Sequence, residues 1–234
     1  KKKHKVLNID KITYASDLRS LKRIKNNRNY IFKKADICNE KLIQKIIFNY
    51  KPDAIFNLAA ETHVDRSIES QSNFIKTNIL GTFVLLKSSR IYFENKKKKL
   101  FKFIHISTDE VYGDLKLNEK SFTEESRYKP SSPYSASKAS SDHLVRSWFK
   151  TFKFPGIITN CSNNYGPFQF PEKFIPHMII SGLLNKKLPV YGSGRNIRDW
   201  LHVEDHVNAL YLVLKKGKTG ETYNIGGDTE KKNI

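Results

Sequence analysis

Short apolar runs alternate with amphipathic stretches along the chain. Val6 to Asp10 (VLNID), Tyr30 to Asp36 (YIFKKAD), Ala54 to Ala60 (AIFNLAA), Phe103 to Ile106 (FIHI) and Gly156 to Cys161 (GIITNC) are rich in β-branched or aromatic residues, the mark of buried strands. Between them the spacing turns helical. Glu40 to Tyr50 places Leu42, Ile43, Ile46 and Ile47 on one face and is stopped by Pro52. Asn73 to Phe93 predicts a long helix with Ile75, Ile79, Phe83, Leu86 and Tyr92 toward the core. Tyr134 to Phe152, Ile175 to Leu184 and Val203 to Lys215 are further predicted helices, and Leu188 to Tyr191 and Thr222 to Ile225 are short strands. Lys11 to Asn29 reads as a loop plus a basic helix. The run at Ala54 is apolar throughout, so a central place in the sheet is expected. Strand and helix alternating in this way predict an α/β fold with a doubly wound parallel sheet. The expected division is a sheet domain over residues 1–165, to which the strand at 222–226 returns, and a small lobe over 166–234.

Ligands of open parallel sheets bind at the carboxyl ends of the strands. The strand at Phe103 ends in Ser107-Thr108-Asp109-Glu110. By itself that is a solvated exit from a strand, but an acid pair at such a point can also give a proton at one centre and take one at another. Further on, Tyr134 and Lys138 stand four apart on a predicted helix and share a face. A lysine ammonium beside a phenol is expected to lower the tyrosine pKa, so that the tyrosine can take a hydroxyl proton.

Composition narrows the classes. With 38% hydrophobic and 12% aromatic residues among 234, the chain is an ordinary soluble globular sequence, without an apolar run of membrane length or a signal peptide. Its two cysteines, Cys38 and Cys161, lie in or beside apolar stretches and read as reduced thiols of a cytoplasmic protein. No Cys/His cluster has metal-ligand spacing, so no metal is expected. The excess of 42 basic over 23 acidic residues, a net charge of +19, raises nucleic-acid binding. The lysines are nevertheless spread along the chain, and the run Lys96–Lys99 falls in a loop, so nucleic acid is not the expected partner.

The ordered blocks NIDKITYA, ADIC, LAAETHVDRSI, TNILGT, HISTDEVYGD, SPYSASKASSDHLV, TNCSNNYGP, IRDWLHVEDH and ETYNIGG resemble the extended short-chain dehydrogenase/reductases that act on nucleotide sugars. The adjacent acids Asp109 and Glu110 are similar to those of the 4,6-dehydratase branch rather than the epimerases. The resemblance implies a Rossmann-like sheet, bound NAD, a nucleotide-sugar substrate with dTDP-glucose expected, and a homodimer formed through the helices at 73–93 and 134–152. It implies catalytic roles for Thr108, Asp109, Glu110, Tyr134 and Lys138. For NAD it implies Asp10, Lys11 and Thr13 at ribose and phosphate and Asp36 and Ile37 at adenine. Leu58, Ala59, Ala60, Thr77 and Asn164 complete that set with Tyr134 and Lys138. For the substrate it implies Thr62, Thr108, Asn163, Lys173 and Phe174, then Pro189, Tyr191, Arg198 and Asn233. Arg198 suits a diphosphate, or else an ion pair with Asp199 or Glu204; Asp36 suits a ribose or adenine contact, or else a turn or cap before Glu40.

The glycine-rich loop and strand that the family places before Val6 are not in this chain, nor are its residues beyond Ile234. The strands at Val6 and Ala54 are therefore expected to have no shared neighbour, and NAD binding by this polypeptide alone is expected to be weak. The alternative readings are another nucleotide-sugar epimerase or dehydratase, an inactive fragment, or a basic scaffold.

Overall fold

The computed structural model describes residues 4–96, 100–116, 119–188, 190 and 194–232. Strands β1 (Val6–Asp10) and β2 (Tyr30–Lys34) form a parallel pair, with Val6 opposite Tyr30 and Asp10 opposite Lys34. Helix α1 (Glu40–Tyr50) comes next, capped by Asn39, whose side chain accepts from the Leu42 N–H at 3.1 Å. It buries Ile43, Ile46 and Ile47, while Leu42 stays half-buried. Lys51 ends it in the left-handed conformation ahead of Pro52.

β3 (Ala54–Asn57) leads through α2 (Val64–Glu69) and α3 (Gln71–Phe74) into a π turn at Ile75–Gly81 and then α4 (Thr82–Lys96). β4 (Lys102–Thr108), α5 (Pro133–Phe152) and β5 (Gly156–Cys161) form the next unit. β6 (Asn163–Tyr165), α6 (Phe174–Leu183), β7 (Ile197–His202), α7 (Val203–Lys216), β8 (Thr222–Ile225) and β9 (Glu230–Lys232) complete the order. β3-β4-β5-β8 is a four-stranded parallel sheet, in which Thr108 pairs with Cys161 and Cys161 with Ile225. β6-β7-β9 is a separate three-stranded sheet.

The main core lies between the four-stranded sheet and helices α1, α4 and α5. Ile43, Leu86, Tyr92, Phe101, Phe103 and Phe154 are among its buried members, and Phe154 packs on Phe93, Phe101 and Phe103. Each such side chain contributes roughly 1.5–3 kcal/mol by leaving water. Gly81 lets this packing close. A Cβ there would meet Ile37 Cδ1 at 2.5 Å.

Four expectations are corrected. The helix expected over 73–93 is interrupted by the π turn, whose i→i+5 bonds take about one extra residue per turn. The inward face therefore shifts, and Ile75 is 52% exposed while Phe74 and Asn78 are buried. β3 is not central: among the described residues it pairs only with β4, and β1 and β3 are not bonded to each other. The basic helix over 11–29 is only a short 3-10 turn at Leu18–Leu21, since that stretch has no continuous apolar face. Strand β7 is held from outside: Asp199 accepts from the Gly227 and Thr229 N–H groups at 2.7 and 2.9 Å. Of the strand expected at Leu188–Tyr191, Pro189 and Tyr191 lie outside the described residues, as do Lys97–Lys99 of the lysine run. Leu188 and Val190 are in no strand. No helix among the described residues is long and apolar enough to cross a membrane.

Candidate active site

The carboxyl end of β4 places the acids. Thr108 is the last strand residue and caps the 3-10 turn Asp109–Tyr112, its hydroxyl accepting from the Glu110 N–H at 3.3 Å. The same hydroxyl donates to Asp109 Oδ1 at 3.2 Å. Gly113, at φ +94°, then turns the chain away, and a Cβ there would strike the Lys129 carbonyl at 2.5 Å. The two carboxyls sit in a dry setting. Burial pushes Asp109 up, against the pull of Thr108, of backbone N–H groups and of Arg198. Burial and the charge of Asp109 push Glu110 up, against Arg198 and Lys173.

Facing them is the first turn of α5. Pro133 at its start and the reciprocal capping of Ser132 and Ser135 fix where this helix begins. Tyr134 is thereby held at a buried position, edge-on to Phe74. Lys138 is buried one turn later and donates from Nζ to the Ile106 carbonyl at 2.7 Å. The expected lowering of the tyrosine pKa is not what the geometry gives. Burial, then the Glu110 charge, push the Tyr134 phenol well above its usual range, and a hydrogen bond with Thr108 opposes this. Lys138 is itself pushed down by burial, with Asp142 and Cys161 acting in its favour. A dry pocket lined by carboxylates outweighs one ammonium.

The residues expected to hold NAD lie along the carboxyl edge of β1, β2 and β3 and at β6. Asp10 Oδ1 accepts from the Ile12 N–H at 2.6 Å and Ser16 Oγ at 3.3 Å, and Thr13 donates its N–H to Ser16 Oγ at 3.1 Å. Lys11 and Asp36 pair with each other at 3.0 Å. Asp36 also accepts from the Cys38 N–H at 2.9 Å, so it makes the turn before α1 while Asn39 is the cap. The Ile37 side chain belongs to the core, which leaves its backbone for a ligand. Leu58 is 60% exposed beside the half-buried Ala59 and Ala60, and Thr77 is half-buried in the π turn. Asn164 Oδ1 is bonded to His206 Nδ1 at 2.7 Å. A strand-end carboxylate, small residues past β3 and a lysine with N–H groups to spare fit a dinucleotide.

The substrate set is only partly assembled. Lys173 Nζ donates to the Thr62 carbonyl and hydroxyl at 3.0 and 3.2 Å, joining the loop after β3 to the start of α6. Phe174 stacks on Trp200 at 6.0 Å. Arg198 is exposed and its field reaches both acids, while Asp199 is bonded elsewhere, so the alternative of an Arg198–Asp199 pair is not what forms. Asn163 opens β6 and is half-buried. Pro189, Tyr191 and Asn233 lie outside the described residues. Among the described residues no group of His, Cys, Asp and Glu is placed to hold a metal ion. Cys38 and Cys161 are free thiols, pushed up by burial to about 11 and about 12.

Sequence reasoning passed over several residues that brace this site. Asn78 bonds the Glu61 backbone at N and O and Ser137 Oγ. Glu172 accepts from Tyr14 at 2.9 Å and Arg66 at 3.2 Å, drawing two loops and α2 together. Asp142 lies four residues past Lys138, a spacing that could have singled it out.

Comparison with known proteins agrees with this geometry. The profile of the GDP-mannose 4,6 dehydratase family matches residues 1–234. The dTDP-glucose 4,6-dehydratase of Haemophilus influenzae is 56% identical over 232 residues, 98% of this chain and 69% of that protein. The structure of dTDP-glucose 4,6-dehydratase from Bacillus anthracis in complex with NAD is 45% identical with a TM-score of 0.86, over 99% of this chain and 69% of that one. The Streptomyces venezuelae enzyme of the same name, solved as a double mutant with NAD bound, has a TM-score of 0.91 at 39% identity, over 98% and 68%. The chain thus spans about two thirds of the length of these relatives. With this identity over nearly its whole length, the chain belongs to the dTDP-glucose 4,6-dehydratase family of NAD-dependent nucleotide-sugar lyases.

Proposed function

We propose that this chain converts dTDP-glucose to the dTDP-4-keto-6-deoxy sugar and water. The observation that carries this reading is the adjacent half-buried carboxyl pair, Asp109 and Glu110, opposite Tyr134. When bound, NAD⁺ supplies a hydride acceptor that gives the hydride back within one cycle. Asp10, Lys11, Thr13, Asp36 and the backbone at Ile37 hold its adenosine end. Leu58–Ala60, Thr77, Asn164 and Lys138 hold the rest.

The protein side chains then move protons. Thr108 holds the C4 hydroxyl and Tyr134 takes its proton as C4 is oxidised. The resulting C4 ketone acidifies the C5 hydrogen, which Glu110 removes. Asp109 protonates the departing C6 hydroxyl, so that water leaves. Burial pushes both carboxyls up, which favours Asp109 as a proton donor and makes Glu110 a stronger base once ionised. Arg198 and Lys173, whose fields reach the acids, take the diphosphate side of the substrate together with Thr62, Asn163 and Phe174. Pro189, Tyr191 and Asn233 join that set.

In this reading residues 1–165 with 222–226 are the NAD-binding unit, residues 166–234 the substrate lobe, and the active form a homodimer through α4 and α5. The test is product mass. With excess NAD⁺ and dTDP-glucose, a product lighter by one water supports dehydration. A product of unchanged mass points to an epimerase, and no conversion to an inactive chain.

A further inference from the structure

Asp142 is fully buried, one helical turn past Lys138 on α5, and the reaction above does not use it. Its Oδ2 accepts from Ser107 Oγ at 2.8 Å and from the Tyr128 hydroxyl at 2.9 Å. Its Oδ1 faces His105 Nε2 at 3.4 Å. His105 brings no charge. Asn57 Nδ2 donates to its Nδ1 at 3.1 Å, which leaves the proton on Nε2, and burial with the Lys138 field keeps the ring neutral. Arg146 reaches the carboxylate only through Tyr128, to whose hydroxyl it donates at 2.8 Å. From β5, Cys161 is held as a thiol, pushed up to about 12 by burial. Burial pushes the phenols of Tyr128 and Tyr134 up. The remaining basic group beside Asp142 is Lys138, one turn earlier on α5, the two being 0% and 3% exposed, and Asp142 acts to favour the lysine ammonium. A buried ion is tolerated only when paired.

We propose that Asp142 is a positioning residue for the dehydratase site: its carboxylate is the counter-ion of Lys138, and its bonds hold the Ser107–Thr108 strand end against the helix that carries Tyr134. The catalytic part rests on the function proposed above; the pairing itself does not.

Two measurements separate them. Asp142→Asn keeps the shape and one acceptor oxygen for Ser107 and Tyr128 but removes the charge and turns the atom facing His105 into a donor, and Lys138→Met removes the partner. In urea denaturation each single variant is expected to lower the midpoint, and the double variant to recover at least about half of the summed loss. Losses that simply add would overturn the pairing. If Asp142→Asn does not fold alone, folding of the double variant supports the pair and its failure to fold counts against it. In the NAD-loaded enzyme, Asp142→Asn is expected to lower kcat by about tenfold or more with KM little changed, because the strand end and the helix that carries Tyr134 lose their tie. A kcat equal to that of the wild type overturns the positioning role. A wild-type chain that shows no turnover sinks the dehydratase reading, and the denaturation result still decides the pair.

Discussion

Asn78 Nδ2 donates to Ser137 Oγ at 2.8 Å, a bond that joins the π turn to α5 one turn after Tyr134. The same side chain bonds Glu61 N–H at 2.8 Å and Glu61 O at 3.0 Å, so one buried amide ties the loop after β3 to the helix that carries Tyr134. Asn78→Ala removes all three bonds, although Ser137 Oγ keeps its bond to the Tyr134 carbonyl. A loss of about 2–4 kcal/mol is expected, measured by urea denaturation. A loss no larger than that of an exposed substitution would show that the loops are held by something else.

Tyr134→Phe keeps the ring that packs edge-on to Phe74 and removes the group assigned to take the C4 hydroxyl proton. Steady-state kinetics are expected to show kcat lower by about 10²–10⁴, with KM little changed. A comparable rise in KM with kcat intact would assign the tyrosine to binding.

The two acids are separable by isotope exchange. Glu110→Gln is expected to abolish uptake of solvent deuterium at C5 together with water loss. Asp109→Asn is expected to retain C5 exchange while water loss slows by about 10²–10⁴. The opposite pattern would exchange their roles.

Burial of these acids also makes a statement about stability. Both have folded-state pKa values above those of the unfolded chain, so the stability they contribute is present below about pH 4 and falls as pH rises through their folded values. Asp109→Asn removes that loss. The variant is expected to be more stable than wild type at pH 7 and equal to it at pH 4, by chemical denaturation at both. Lower stability at pH 7 would mean that the carboxylate is paired in the folded protein.

The strands and helices around the main core were legible because their burial is one-sided and periodic. Glu40–Tyr50 could be read to the residue, since its apolar face and Pro52 stop agree, although its cap proved to be Asn39 rather than Asp36. β7 and β6 were not legible. Asn163-Asn164-Tyr165 and Ile197-Arg198-Asp199 carry polar side chains whose partners lie in other segments, and no local pattern announces them. In the site, the residues assigned to chemistry were singled out as motifs. Those that brace it, Asn78, Asp142 and Glu172, are ordinary polar residues until the fold brings their partners near. The tyrosine pKa was misjudged for a related reason: spacing shows which charge is four residues away, not how much water is missing.

The π turn at Ile75–Gly81 makes chain length itself a determinant of the site. It is an α-helix carrying a residue more than its turn requires. Deleting one residue between Phe74 and Thr82 would let the helix rewind, turning everything before the cut by about 100° about the axis relative to α4. Thr77 and the loop before it would leave the nucleotide edge, although every side chain assigned to chemistry remained in the sequence. Substitutions in this segment are expected to be graded in effect, and single-residue deletions close to all-or-none.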